Sequence, residues 1–196
     1  MNRCIKLCLP VFLIVGATVA IRFFIPGEPA HQGKPLSAWL ADLDLESSHS
    51  TDTAVYALRA IGTNSFPWLT QMLRAKDPVW KQAVLSFNTR QSFLRIPVTP
   101  ASVVQNRAIQ GYIALGNVAK DNVPALIQIL DSEPSPQIRS CVAAALGGIG
   151  PEAKAAIPAL SRATADKSAE VRKNAFWALA SIHRWSPDVP EGRFSN

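Results

Sequence analysis

Cysteine is scarce in this chain, with three in 196 residues, too few for a disulfide scaffold. Cys4 and Cys8 do not follow the apolar run near the amino terminus, which excludes a lipidated-cysteine signal. Cys141 is alone in the body of the chain and, on an Ala-rich segment, reads as a small buried hydrophobe. Histidine is equally scarce: His31, His49 and His183 lack a second His or Cys at metal-ligand spacing. His183 follows an apolar turn and suits a helix-capping role. There is no Gly-x-Ser-x-Gly elbow and no phosphate loop. Gly147-Gly148-Ile149-Gly150 is glycine-rich but ends a helical pattern instead of opening one. The acidic run Asp42, Asp44, Glu46 reads as a solvated face. No base, nucleophile and orienting group come together. The sequence therefore points to a non-enzyme with no catalytic residue, cofactor, metal or small-molecule substrate.

Charge is also sparse, at 17% of residues, and the net charge of +6 is spread along the chain. Basic and acidic residues interleave, as in Arg74, Lys76, Asp77 and Lys81. A nucleic-acid binder concentrates its Lys and Arg on one face, so nucleic acid is not an expected partner. Hydrophobic residues make up 48% of the chain, enough for a sizeable core and too many for a disordered polymer.

Apolar residues are first concentrated from Leu7 to Ile21, preceded by Arg3 and Lys6 and continued past Arg22 by Phe23 to Ile25, before Pro26, Gly27 and Pro29 end the segment, which spans residues 4–25. This length is close to the ~20 residues that span a bilayer as a helix. Residues 1–30 therefore read as a signal anchor, a single pass with the remainder on the non-cytoplasmic side. The alternatives are a cleaved signal, leaving a secreted or periplasmic body, and a buried core helix. After Pro35, the residues Leu36, Trp39, Leu40 and Leu43 form a short amphipathic helix within a linker, 31–50. That helix reads as a cap on the first repeat rather than a membrane-surface element, because its acids would repel anionic lipid.

The body, 51–185, repeats itself. Leu58-Arg-Ala-Ile-Gly leads to Phe66-Pro67-Trp-Leu69, Leu115-Gly-Asn-Val leads to Val123-Pro124-Ala-Leu126, and Leu146-Gly-Gly-Ile-Gly leads to Ile157-Pro158-Ala-Leu160. Ser135-Pro136-Gln137-Ile138-Arg139 aligns with Ser168-Ala169-Glu170-Val171-Arg172, and Asp77-Pro78-Val79-Trp80-Lys81 is a weaker copy. The leucines Leu115, Leu146 and Leu179 are 31 and 33 residues apart, while Leu58 to Leu115 is 57, which implies an insertion. Ile138, Val142, Ala145, Leu146 and Ile149 recur at helical spacing, and Gly147, Gly148 and Gly150 are expected to stop that helix. Pro158 either kinks the second helix of its unit or begins its regular part. Two helices cannot hide both apolar edges alone, so pairs must stack. The expected fold is an all-α solenoid of about four helix pairs. The insertion, near 87–99, reads as extended, and 186–196 reads as a loose tail.

The period, the Leu-Gly-x-Ile-Gly-Pro-Glu-Ala turn, the Ile-Pro-Ala-Leu start and the Val-Arg pair resemble short HEAT repeats of the phycobilisome-lyase-like type. The layout is similar to that of membrane-anchored bacterial HEAT-repeat proteins of no assigned activity. The resemblance implies a polar ladder between units, for which Asp166 with Arg172 has the spacing; Asp131 with Arg139 and Asp77 with Lys81 fit less well. It also implies a scaffold that binds a protein or peptide, with a bilin-lyase-like or DNA-glycosylase-like enzyme as the alternative. Candidate groove residues are Gln71, Arg74, Gln128, Arg162 and Asp166. Trp80, Arg90, Phe93 and Arg95 are candidate hot spots, since aromatic and arginine side chains dominate interface energies.

Overall fold

Each repeat is punctuated in the same way: a leucine in the last turns of one helix, a glycine after it, and a proline opening the next. The computed structural model describes residues 27–44, 48–90 and 96–184. The expected span 4–25, Phe93, Arg95 and the expected tail 186–196 lie outside the described residues. The chain enters through a two-residue hairpin, β1 (Ala30–His31) and β2 (Lys34–Pro35), paired antiparallel. Gln32 and Gly33 make its turn with φ of 51° and 75°, the paired positive values of a type I′ hairpin. Helix α1 (Leu36–Asp42) comes next. Then come α2 (Ser48–Ile61) and α3 (Phe66–Leu73), α4 (Val79–Arg90), α5 (Ala101–Leu115) and α6 (Val123–Ser132), α7 (Pro136–Ile149) and α8 (Ile157–Ala163), and α9 (Ala169–Arg184).

Pro67, Pro124 and Pro158 lie in the first turns of α3, α6 and α8. There the missing N–H costs nothing and the fixed φ is already helical. Pro158 thus begins a helix rather than kinking one. Before each of these helices lies a 3-10 turn: Gly62–Ser65, Gly116–Asn122 and Gly150–Ala156. The leading glycines have φ of 60°, 53° and 76°, values that side-chain-bearing residues rarely adopt.

The first helices α2, α5, α7 and α9 pack side by side as one layer, and α3, α6 and α8 lie against them as a second. This is a mostly helical stack of helix pairs, the arrangement expected of an α-solenoid. Leu58, Leu69, Leu73, Leu115, Leu126, Leu146, Leu160 and Ile182 are fully buried between units. Each such side chain contributes about 1.5–3 kcal/mol of burial. Leu179, aligned with Leu146 in the sequence, is only half-buried, and Ala178 beside it takes the core position. Helix α1 packs against the first pair: Leu36 and Leu40 are fully buried in the same core, and Asp44 pairs with Arg107 of α5 at 2.7 Å. Asp42 pairs with Lys34, whose ammonium also lies 4.1 Å from the Trp39 ring centroid. Two members of the acidic run are therefore ion-paired rather than simply solvated.

Two expectations are corrected. Gly147 and Gly148 do not stop α7; they lie inside it, and only Gly150 terminates it. Their task is close approach. A Cβ on Gly147 would sit 2.8 Å from the Ala178 Cα, so the α7 and α9 backbones meet with no room for a methyl group. The second correction concerns Asp77 to Lys81, which copies a repeat start without being one. Helix α4 begins there and buries none of its residues, while α5 occupies the first-helix position of that unit. The chain leaves the stack after Asp77 and rejoins it at Ala101. The Asp77 carboxylate accepts the Ala101 N–H on both oxygens at 3.0 Å, and Gln105 Nε2 donates to the Ala75 carbonyl at 2.9 Å. The excursion is thus wider than 87–99, and Phe87 to Arg90, expected to be extended, are helical.

The Gly147 contact yields a prediction opposite to helix propensity. At an exposed helical glycine, alanine would gain about 1 kcal/mol. Gly147→Ala should instead lose about 1–3 kcal/mol through overpacking, lowering the thermal midpoint; a raised midpoint would show that α7 and α9 are not in backbone contact.

Candidate functional site

The charged groups that the sequence scatters are drawn by the fold into one ribbon, where the second helices end and the next first helices begin. Arg139, in the first turn of α7, donates from Nε and Nη2 to the two carboxylate oxygens of Asp166, each at 2.9 Å. It also donates to the carbonyls of Glu133 and Pro134 at 2.9 Å. Arg172, one unit later, makes the same pair of bonds to the carbonyls of Asp166 and Lys167, at 2.8 and 3.0 Å. One unit earlier, Glu133 is buried and pairs with Arg74 and Lys76 at 3.4 and 3.5 Å. The acid and arginine therefore recur six residues apart, as Glu133 with Arg139 and Asp166 with Arg172. Asp131 is not the ladder acid of its unit. It pairs with Arg162 at 2.7 Å on the exposed side. The six-residue spacing is present in the sequence, whereas Asp131 matches Asp166 in residue type and not in spacing.

These carboxylates are held ionised. The Arg139 guanidinium lowers the Asp166 pKa first, against burial, and the Ser168 N–H and the Arg172 charge add to it. At Glu133 burial is the largest effect and pushes the pKa up, but the Ser135 N–H with Lys76 and Arg74 brings it below its ordinary value. At Asp77 the Lys81 ammonium lowers the pKa, followed by the Ala101 N–H; the two side chains pair at 2.7 Å.

Of the expected groove residues, Arg74, Arg162 and Asp166 all fall on this ribbon. Gln71 and Arg74 line a cleft of about 620 Å³ with Pro67, Trp68, Met72 and Val104. Arg162 and Asp166 line a second cleft of about 290 Å³, shared with Glu133 and Arg139. Gln128 is exposed on α6 between them. Trp80 and Arg90 lie apart from both, exposed on α4. Phe93 and Arg95 lie outside the described residues.

Elsewhere the polar groups hold layers together. Asn122 donates to the Tyr112 hydroxyl at 2.7 Å and to Thr70 Oγ1 at 3.2 Å, joining neighbouring units through a buried phenol whose pKa burial raises. Asn174 donates to Ser140 Oγ at 2.8 Å. Cys141 is buried, with its thiol pKa pushed up by desolvation; such a thiol is a poor nucleophile. Among the described residues no group of three or more His, Cys, Asp or Glu is placed to hold a metal ion. None of their helices is long and apolar enough to cross a membrane, and residues 4–25 are not among them.

The decisive feature is the combination of stacked helix pairs with an acid–arginine ladder running between them. Residues 100–191 match the family model of HEAT repeats. The matched range opens at Pro100, where the excursion rejoins the stack, and takes in α5 to α9. The α2–α3 pair lies before that range yet carries the same leucine, glycine and proline positions. No curated protein matches the chain.

The ladder gives the HEAT-like stack an acid-labile component. A lowered carboxylate pKa contributes stability that is complete above the ordinary value, 3.8 for Asp166, and is lost as the pH falls through the lower folded value. Asp166→Asn should therefore cost about 1 kcal/mol near neutral pH. Its deficit relative to the parent should shrink as melting is repeated at decreasing pH below about 4. A deficit of the same size throughout the acid series would show that the Arg139 pair does not depend on charge.

Proposed function

We propose that the chain is a non-catalytic, membrane-tethered scaffold that binds a protein partner along its second-helix side. The observation that carries this reading is the HEAT-repeat match over residues 100–191, since HEAT repeats commonly mediate protein–protein interaction. The surface supports it. Trp68 and Met72 are half-buried apolar side chains beside Gln71 and Arg74 in the larger cleft, a mixture of aromatic and arginine groups suited to an interface anchor. Gln128 and Arg162 extend the same side along the stack. The proposed tether is residues 4–25, with Arg3 and Lys6 retained on the cytoplasmic side. If a signal peptidase removes this segment, the same scaffold is secreted or periplasmic.

A single membrane preparation tests both parts. Carrying a photo-cross-linker at Gln71 or Gln128, the full chain should yield one discrete protein adduct, and the cross-linker moved to Lys173 on α9 should not. Failure at both glutamines would remove the second-helix side as the docking surface. Alkaline carbonate should leave the chain in the membrane pellet; release of an intact chain would contradict the tether, and release of a product shortened by about twenty residues would indicate cleavage.

A further inference from the structure

The excursion from Pro78 to Pro100 is shaped but unused by the stack. Asp77 clamps its base to the Ala101 N–H. Asn88 holds its return arm, donating from Nδ2 to the Ile96 carbonyl at 2.8 Å and accepting the Ile96 N–H on Oδ1 at 3.0 Å. Within α4 the residues divide by face. Lys81, Val84, Leu85 and Asn88 are half-buried, on the side turned toward the protein. Val79, Trp80, Ala83 and Phe87 share the opposite, solvent-facing arc at helical spacing. Val79 is 82% exposed, Trp80 64%, Phe87 41%, and Ile96 beside the helix 39%. A packed helix turns its apolar arc inward; α4 turns Val84 and Leu85 toward the protein but leaves the larger Trp80 and Phe87, with Val79, in solvent.

The charge of the excursion is one-sided. It contains Lys81, Arg90 and Arg95 and no Asp or Glu, and so supplies three of the net four positive charges carried from His31 onward. Lys81 is neutralised by Asp77. Arg90 lies on the exposed arc, and no described residue forms an ion pair with it. A second copy docked on this face would bring like charges together. A sheet of phosphate headgroups over a hydrocarbon layer matches both features at once, because interfacial helices combine an apolar face bearing Trp or Phe with flanking Lys or Arg.

We infer that α4 docks on an anionic lipid surface, seating Val79, Trp80, Ala83 and Phe87 among the acyl-chain ends and Arg90 on the phosphates. The inference rests on the proposed tether only for bringing α4 to the bilayer; the stack would then lie close against the membrane and not at the end of a free leash.

The test uses the full chain with vesicles of phosphatidylglycerol and phosphatidylcholine, or of phosphatidylcholine alone, each containing brominated lipid. Flotation reports attachment, and the difference in quenching between the parent and Trp80→Phe reports the position of Trp80, which is exposed enough for that change to leave the fold intact. On anionic vesicles the quenched component should be several-fold larger than on neutral ones, vanish in Trp80→Phe and fall several-fold in Arg90→Glu. A chain that floats with Trp80 unquenched overturns the inference and leaves the tether standing. A chain that floats only on anionic vesicles, with Trp80 quenched, supports the inference and removes the tether. Equal quenching on both vesicles overturns the anionic assignment. Trp80 emission that instead shifts only with chain concentration assigns the face to a second copy and overturns it as well.

Discussion

A helix pair of this kind has two apolar edges and can bury only one against its own partner. The second edge must be covered by the next pair, and that unmet demand organises everything from Leu36 to Ile182. It explains why the fully buried side chains recur once per unit, as Leu58, Leu115 and Leu146 on the first helices and Leu69, Leu126 and Leu160 on the second. It also explains α1. Among the described residues no helix pair precedes α2–α3, and Leu36 and Leu40 cover its outer edge. Because each unit touches mainly its neighbours, stability is close to a sum of unit and interface contributions.

Burial alone does not fix how far one pair is rotated or slid against the next. The polar groups do that. Arg139 spans to Asp166 at the end of its unit while holding two carbonyls just ahead of its own helix, so it locates both segments at once. One unit earlier, Arg74 and Lys76 face the Glu133 carboxylate in longer ion pairs of 3.4 and 3.5 Å. Gly147 against Ala178 sets the distance between helices, and the ladder sets the register. The same device tolerates the excursion. Asp77 closes its two ends across 24 residues of chain, so the stack continues as though α4 were absent, and an insertion closed in this way costs little beyond loop entropy.

Much of this was legible in the sequence. The hydrophobe–proline pairs at Phe66-Pro67, Val123-Pro124 and Ile157-Pro158 mark the starts of second helices, because proline at the first turn is a local effect that needs no tertiary information. The layered core came from leucine spacing, and the capping helix from Leu36, Trp39 and Leu40. What escaped was decided by neighbours. Asp77-Pro78-Val79-Trp80-Lys81 has the local chemistry of a helix start and does start a helix, but only packing reveals that the stack excludes it. Gly147 and Gly148 look like terminators and serve as contact points, since nothing in α7 itself reveals how near α9 approaches. Glu133 was hidden behind Asp131 for a similar reason: residue type suggested one acid, and the path of the backbone around Pro134 selected the other. Trp80 and Arg90 were visible as candidate contact residues, but their placement on an outward face of a helix outside the stack was not.

The central claim is that successive pairs share one continuous core, and the side chain most exposed to that claim is Leu146, fully buried on the face between units. Measuring the thermal unfolding of Leu146→Asp by far-ultraviolet circular dichroism tests it directly. An unpaired carboxylate in a continuous core costs more than about 4 kcal/mol, so the cooperative helical transition should be lost; a melting curve superimposable on the parent would contradict the stacked core.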